Sequence, residues 1–142
     1  MGRRKSRETA LQILFQLEFN DIMEERSLDR FWKDRKGQNS EYVQELISGV
    51  VSNKDEIDSL IQAYSKNWRL SRMLCIDRNI MRLAVYELLF GEGMPVAVAI
   101  NEAVELAKKF GGNESAKFIN GLLDALSKEP RIQKKSRGNT NE

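Results

Sequence analysis

The sequence predicts an all-α protein of about seven helices, and three observations carry that reading. Prolines stand only at 95 and 130, so almost no position forbids a helix. Through most of the chain apolar residues return every three or four positions, the period of one helix face. No stretch alternates apolar and polar residues between hairpin turns, so no sheet is expected.

The elements follow in order. Ala10, Leu11, Leu14, Phe15 and Leu17 mark a first helix running out of a basic arm. Ser27 to Lys33 is a short candidate whose apolar set is Leu28, Phe31 and Trp32. Lys36 to Ser40 reads as a loop, with the Ser40 hydroxyl placed to cap a third helix. That helix carries the stripe Val43, Leu46, Ile47, Val50 and Val51. Asn53 is placed to cap a fourth, with Glu56 as the reciprocal partner of a capping box. Ile57, Leu60, Ile61, Tyr64 and Trp68 form its expected buried face. Asp77 opens a fifth helix bearing Ile80, Met81, Ala84, Val85 and Leu88, which stops at Gly91. Val96, Ile100, Ala103, Val104, Ala107 and Phe110 share one face of a sixth. Phe118, Ile119, Leu122, Leu123 and Leu126 share one face of a seventh, and Gly111-Gly112 is the hinge between them.

Residues 1–127 are therefore expected to form one helical domain, or two small packed halves. Residues 128–142 are polar and basic, and are expected to fray. The apolar content of 41% suffices for a core, and the net charge is only +2. The positive charges nevertheless gather at the ends: Arg3, Arg4, Lys5 and Arg7, then Arg131, Lys134, Lys135 and Arg137. Clustered basic arms are the footprint of nucleic-acid binding, against the plainer reading of solvated termini.

Several classes are disfavoured. Cys75 is the only cysteine, so no disulfide framework exists and a reducing compartment is expected. No apolar segment follows the basic start as in a signal peptide, and nothing approaches the roughly 18 consecutive apolar residues of a spanning helix. A soluble, cytoplasmic protein is expected. Without histidine the commonest general base and metal ligand are missing, so neither metal nor cofactor is expected. Asp55, Glu56 and Asp58 read as a dipole-favoured first turn rather than a catalytic pair. Gly91-Glu92-Gly93 precedes a proline and is no phosphate loop. An enzyme is not expected.

Binding chemistry is better represented. Arg3, Arg4 and Arg7 stand at i, i+1 and i+4, so a helix reaching Arg3 puts Arg3 and Arg7 on one face, able to grip phosphates. The segment from Gly111 to Phe118 offers helix-start N–H groups, the Lys117 cation, and the Phe118 ring as a platform for an unpaired base. Core packing is the alternative for Phe118. Glu114 would repel a phosphate, so its role is either contact with a base edge or helix initiation.

Four stretches also resemble the NusB family of bacterial transcription antitermination and termination factors. They are RRKSRETALQILFQLEF, YVQELISGVVSNKDEID, DRNIMRLAVYELLF and PVAVAINEAVELAKKFGGNESAKFINGLLDAL. They run in the family's order over almost all of the chain to Leu126. The resemblance implies seven helices, in two packed three-helix bundles with an accessory helix. It implies binding of the single-stranded boxA element of ribosomal RNA leaders, jointly with the ribosomal protein NusE. It also implies assembly with RNA polymerase and the other Nus factors, which carries transcription past terminators. By matching position, it puts Arg3, Arg4, Lys5 and Arg7 on the RNA, with Glu114 and Phe118 beside it. Phe15 and Asp77 fall at the protein partner, Asp77 having a plain alternative as a helix cap. A similar module forms the RNA-binding part of some ribosomal RNA cytosine methyltransferases, but no cofactor-binding α/β pattern follows here. A protein-only scaffold is a third reading. Some family members dimerise, so a homodimer stays open.

Overall fold

The computed structural model describes residues 3–34, 40–91 and 93–133. Among them are seven α-helices and no strand. They are α1 (Arg3–Phe19), α2 (Glu25–Asp34), α3 (Glu41–Ser52), α4 (Lys54–Tyr64), α5 (Cys75–Phe90), α6 (Val96–Phe110) and α7 (Asn113–Leu126), with a single 3-10 turn at Leu70–Arg72. The chain divides into two compact units, Met1–Lys54 and Asp55–Glu142. No described helix is long and apolar enough to cross a membrane.

In the first unit α1 and α2 both pack on α3. The core is Ala10, Leu11, Leu14 and Leu17 from α1, with Val43, Leu46, Ile47 and Val50 from α3, each almost fully buried. Burying one such leucine or valine side chain contributes about 1.5–3 kcal/mol, so these stripes supply most of the unit's stability. Ser40 caps α3 as expected, its hydroxyl accepting from the Val43 N–H at 3.2 Å. Helix α1 ends where Asp21 turns to φ 56°, and the Ile22 and Asp21 amides close on the Leu17 and Glu18 carbonyls. Helix α2 starts two residues before the expected Ser27 and buries only Leu28. The expected loop over 36–39 lies outside the described residues.

In the second unit α5, α6 and α7 pack on one another. The expected stripe of α5 is buried throughout, together with Leu83. Its buried face is widened by a bridge that the sequence did not suggest. Arg82 Nε and Nη2 donate to the two carboxylate oxygens of Asp58 at 2.8 and 3.1 Å. Asp58 thus has a specific partner beyond any favourable dipole.

Four expectations are corrected here. The Asn53 side chain donates back to the Gly49 carbonyl at 2.8 Å and closes α3, so it is not the acceptor that opens α4. Glu56 pairs with Arg131 instead of completing a capping box. Helix α4 ends at Tyr64, so Trp68 lies beyond it and is not on its buried face. Helix α5 begins at Cys75 with Leu74 as its cap residue, which places Asp77 inside the first turn rather than at the cap.

The chain does not fray at Lys128. A helical turn at 130–133 folds back with Ile132 buried, and Tyr64 donates to Glu129 at 2.8 Å. That hydrogen bond, with some burial and the carboxylate's charge, raises the Tyr64 hydroxyl above its ordinary 10.0. Arg131 pairs at the surface with Glu56 and Glu129. Lys134, Lys135 and Arg137 lie outside the described residues.

Candidate nucleic-acid interface

The arm of the first unit is helical from Arg3 onward, so Arg3 and Arg7 do share a face. That face turns toward Tyr42 of α3. The Arg3 guanidinium lies 4.6 Å from the Tyr42 ring centre, and Arg7 lies 5.9 Å from it. Arg7 is only 4% exposed, and its Nη2 donates to the Tyr42 hydroxyl at 3.3 Å. Arg7 is therefore no exposed phosphate grip. Its side chain is packed at the base of the arm, where it steadies the ring on which Arg3 rests. Arg3, Arg4 and Lys5 remain exposed, Lys5 standing 4.0 Å from the Glu8 carboxylate. Tyr42 escaped notice in the sequence because it sits one place before the α3 stripe, which begins at Val43.

Phe15 lies on the same helix, half buried and stacked on Phe19 with ring centres 6.3 Å apart. Phe19 is 79% exposed, so α1 carries an aromatic step open to solvent.

The second unit holds the other group. Between α6 and α7 the Gly111 and Gly112 amides both close on the Ala107 carbonyl, at 2.7 and 2.9 Å. Gly112 then takes φ 92° and ψ −173°, a conformation essentially reserved for glycine. Gly111 faces Ser115, whose Oγ would lie 2.5 Å from an added Cβ. Gly112→Ala is expected to cost about 1–3 kcal/mol through backbone strain alone. A urea unfolding midpoint unchanged from wild type would show that the turn relaxes without it.

Helix α7 starts at once. Glu114, Lys117 and Phe118, at i, i+3 and i+4, share its outer face. Glu114 and Lys117 are exposed, while Phe118 is half buried and meets Trp68 edge to face, centres 6.5 Å apart. Asp77 is not on an open surface. It is 6% exposed and lines a cleft of about 470 Å3 together with Trp68, Glu114 and Phe118. The structure thus brings together Glu114, Phe118 and Asp77 in one unit, with Lys117 on the same face of α7. It brings together Arg3 and Arg7 in the other.

This set of helices has known counterparts. The family model described as NusB family matches residues 4–128. The chain belongs to the NusB family. It is 47% identical over 133 residues to the transcription antitermination protein NusB of Desulforudis audaxviator, covering 92% of this chain and 96% of the relative. Among solved structures, T. maritima NusB superposes with a TM-score of 0.80 at 35% identity, covering 96% of this chain and 98% of that one. A crystal structure of antitermination factors NusB and NusE in complex with double-stranded RNA gives a TM-score of 0.72 at 27% identity, covering 89% and 96%. The NusB-family match takes in nearly all of α1 and the whole of α7, so both groups of candidate residues, Arg3 excepted, lie within it.

Proposed function

We propose that this chain is an RNA-binding transcription antitermination factor. It binds the single-stranded boxA element of ribosomal RNA leader transcripts together with NusE, and joins RNA polymerase and the other Nus factors. The observation that carries the reading is the NusB-family match over residues 4–128, with relatives that are antitermination proteins along nearly their whole length. The reading assigns the chain a binding role without catalysis, in the cytoplasm.

The physical means are those of a single-strand binder: cations for the backbone and an aromatic ring for a base. Arg3, Arg4 and Lys5 supply exposed positive charge at the start of α1. Lys117 and Phe118 supply a cation and a half-exposed ring on α7, with Glu114 beside them for a base edge. The Phe15–Phe19 step suits the protein partner, since the open Phe19 ring stacked on Phe15 gains by being covered. Asp77, in the cleft with Glu114 and Phe118, borders the RNA-side residues.

The reading is tested by affinity for boxA RNA against a scrambled strand, with and without NusE. Preference for boxA, tightened by NusE, is the expected result, and equal affinity with NusE present would end the reading. Replacing Arg3, Arg4 and Lys5 by alanine should reduce the log–log salt slope by about 0.7 for each phosphate no longer neutralised. The fold should be unaffected, because exposed charges contribute little to it. Arg7→Ala should do the opposite. Losing a buried charged hydrogen bond costs about 1.5–3 kcal/mol of stability, so its melting temperature should fall. A fall in the arm variant and none in Arg7→Ala would reverse these assignments.

A further inference from the structure

Residues 59–76 contain no aspartate or glutamate, in a chain whose 23 basic and 21 acidic residues are otherwise nearly balanced. They contain three cations, Lys66, Arg69 and Arg72. Each is exposed, and the side chain of each is without a hydrogen bond or ion pair among the described residues. Lys108, by contrast, stands 3.7 Å from Glu105, and Arg131 meets Glu56 and Glu129. The Trp68 ring, 57% exposed, falls between Lys66 and Arg69 in the chain.

The backbone beneath these cations is fixed. Gln62 Nε2 and Ser65 Oγ both donate to the Trp68 carbonyl, at 3.0 and 2.8 Å. The Leu70 N–H donates to Gln62 Oε1 at 2.8 Å. Arg78 Nη1 donates to the Leu70 and Met73 carbonyls at 3.1 and 2.8 Å, and the Arg72 N–H closes on the Arg69 carbonyl at 2.9 Å. Three like charges on a fixed segment repel one another, and a polyanion relieves that repulsion as it arrives. Because the backbone is already ordered, less conformational freedom is lost on binding.

We propose that Lys66, Arg69 and Arg72 form a phosphate track that carries the RNA strand onward from the boxA element, whatever the sequence of that flank. Two observations favour RNA over an acidic protein segment. Arg72 lines the cleft that also holds Glu114 and Phe118, so the track is continuous with residues assigned to boxA above. Lys66 and Arg69 stand outside the cleft and lead back along the chain toward the end of α4 at Tyr64. An exposed ring among cations is, moreover, the chemistry of single-strand binding. Contacts to phosphates position a strand without reading its bases, so the flank is held by charge alone. The inference rests on the RNA-binding reading above, and lengthens the strand that the second unit holds.

The test uses the whole chain with dye-labelled boxA RNA, bare or extended by a short oligo-U on its 5′ or its 3′ side, titrated by fluorescence anisotropy over a range of salt concentrations. One of the two extensions should bind tighter than bare boxA. Its log–log salt slope should be steeper by about 0.7 for each phosphate neutralised, or about 2 for all three cations. An oligo-C extension on that side should give the same increment. Lys66→Gln, Arg69→Gln and Arg72→Gln together should abolish the increment with an unchanged thermal melt, since exposed charges contribute little to the fold. Lys66→Gln alone should remove about 0.7 of it. Equal slopes for bare and extended RNA in the wild type, an increment that survives the triple variant, or one confined to a single flank sequence would each overturn the track and leave boxA binding in place. So would a triple variant that loses bare boxA as fully as the extended strand, because the cations would then lie on boxA itself. A triple variant weakened only toward NusE would show the occupant to be an acidic protein surface. Wild-type protein that binds neither bare nor extended boxA would end the RNA reading as well.

Discussion

Arg82→Ala is expected to lower the stability of the fold by about 3–5 kcal/mol, the range for breaking a buried ion pair from one side. The side chain is 5% exposed and its partner Asp58 is 16% exposed, so little water is available to replace the missing charge. All three guanidinium nitrogens donate. Nε and Nη2 hold both oxygens of Asp58, and Nη1 donates to Asn79 Oδ1 at 3.1 Å. Asn79 in turn donates to the Cys75 carbonyl at 2.9 Å, which ties the bridge to the first turn of α5. Alanine would take the guanidinium away from the Asp58 carboxylate, and would release Asn79 Oδ1.

The cost belongs to the half-buried charge that loses its guanidinium more than to the pair itself. Arg82→Met together with Asp58→Leu should therefore recover most of the loss, since well-packed apolar replacements of a buried pair are often neutral. Arg82→Lys should fall between the two, because an ammonium cannot match the two carboxylate oxygens as a planar fork does. Urea unfolding followed by circular dichroism measures all three. A single alanine variant within about 1 kcal/mol of wild type would place the bridge among the weak surface pairs.

Nothing in the sequence announced that bridge. Asp58 and Arg82 are 24 positions apart on separate helices, and each reads alone as an ordinary surface charge. The helices themselves were legible because burial imposes a 3.6-residue period wherever one face meets a core, as Val43, Leu46, Ile47 and Val50 show. The same period misled at Trp68. It stands four places after Tyr64 and continues the α4 stripe on paper, but the Ser65 hydroxyl captures the Trp68 carbonyl and turns the chain away. Charge was legible as composition and not as exposure. Arg7 belongs to a basic cluster, yet the Tyr42 ring of another helix decides that it is buried. For Arg82 and Arg7 the missing information is a contact between elements distant in sequence, which no local pattern contains; for Trp68 it is a hydroxyl three positions away, which apolar periodicity does not register.

Phe118→Ala is expected to weaken RNA binding by about 1–3 kcal/mol, the cost of losing one stacked base. Two structural facts separate this from a core defect. The ring is half buried against Trp68, itself exposed, while Ile119 and Leu123 are fully buried and anchor α7 on their own. A fully buried phenylalanine would cost about 3–5 kcal/mol of folding when truncated, and this one should cost distinctly less. Phe118→Leu sharpens the comparison, since it keeps most of the apolar volume and loses the flat π face. It should melt close to wild type and still bind RNA poorly. Thermal melts beside RNA titrations of both variants decide the matter. If leucine restores RNA affinity in full, the ring acts as packing for the α7 start and stacks on no base. If alanine collapses the melting temperature, the RNA defect follows from unfolding, and Phe118 leaves the interface for the core.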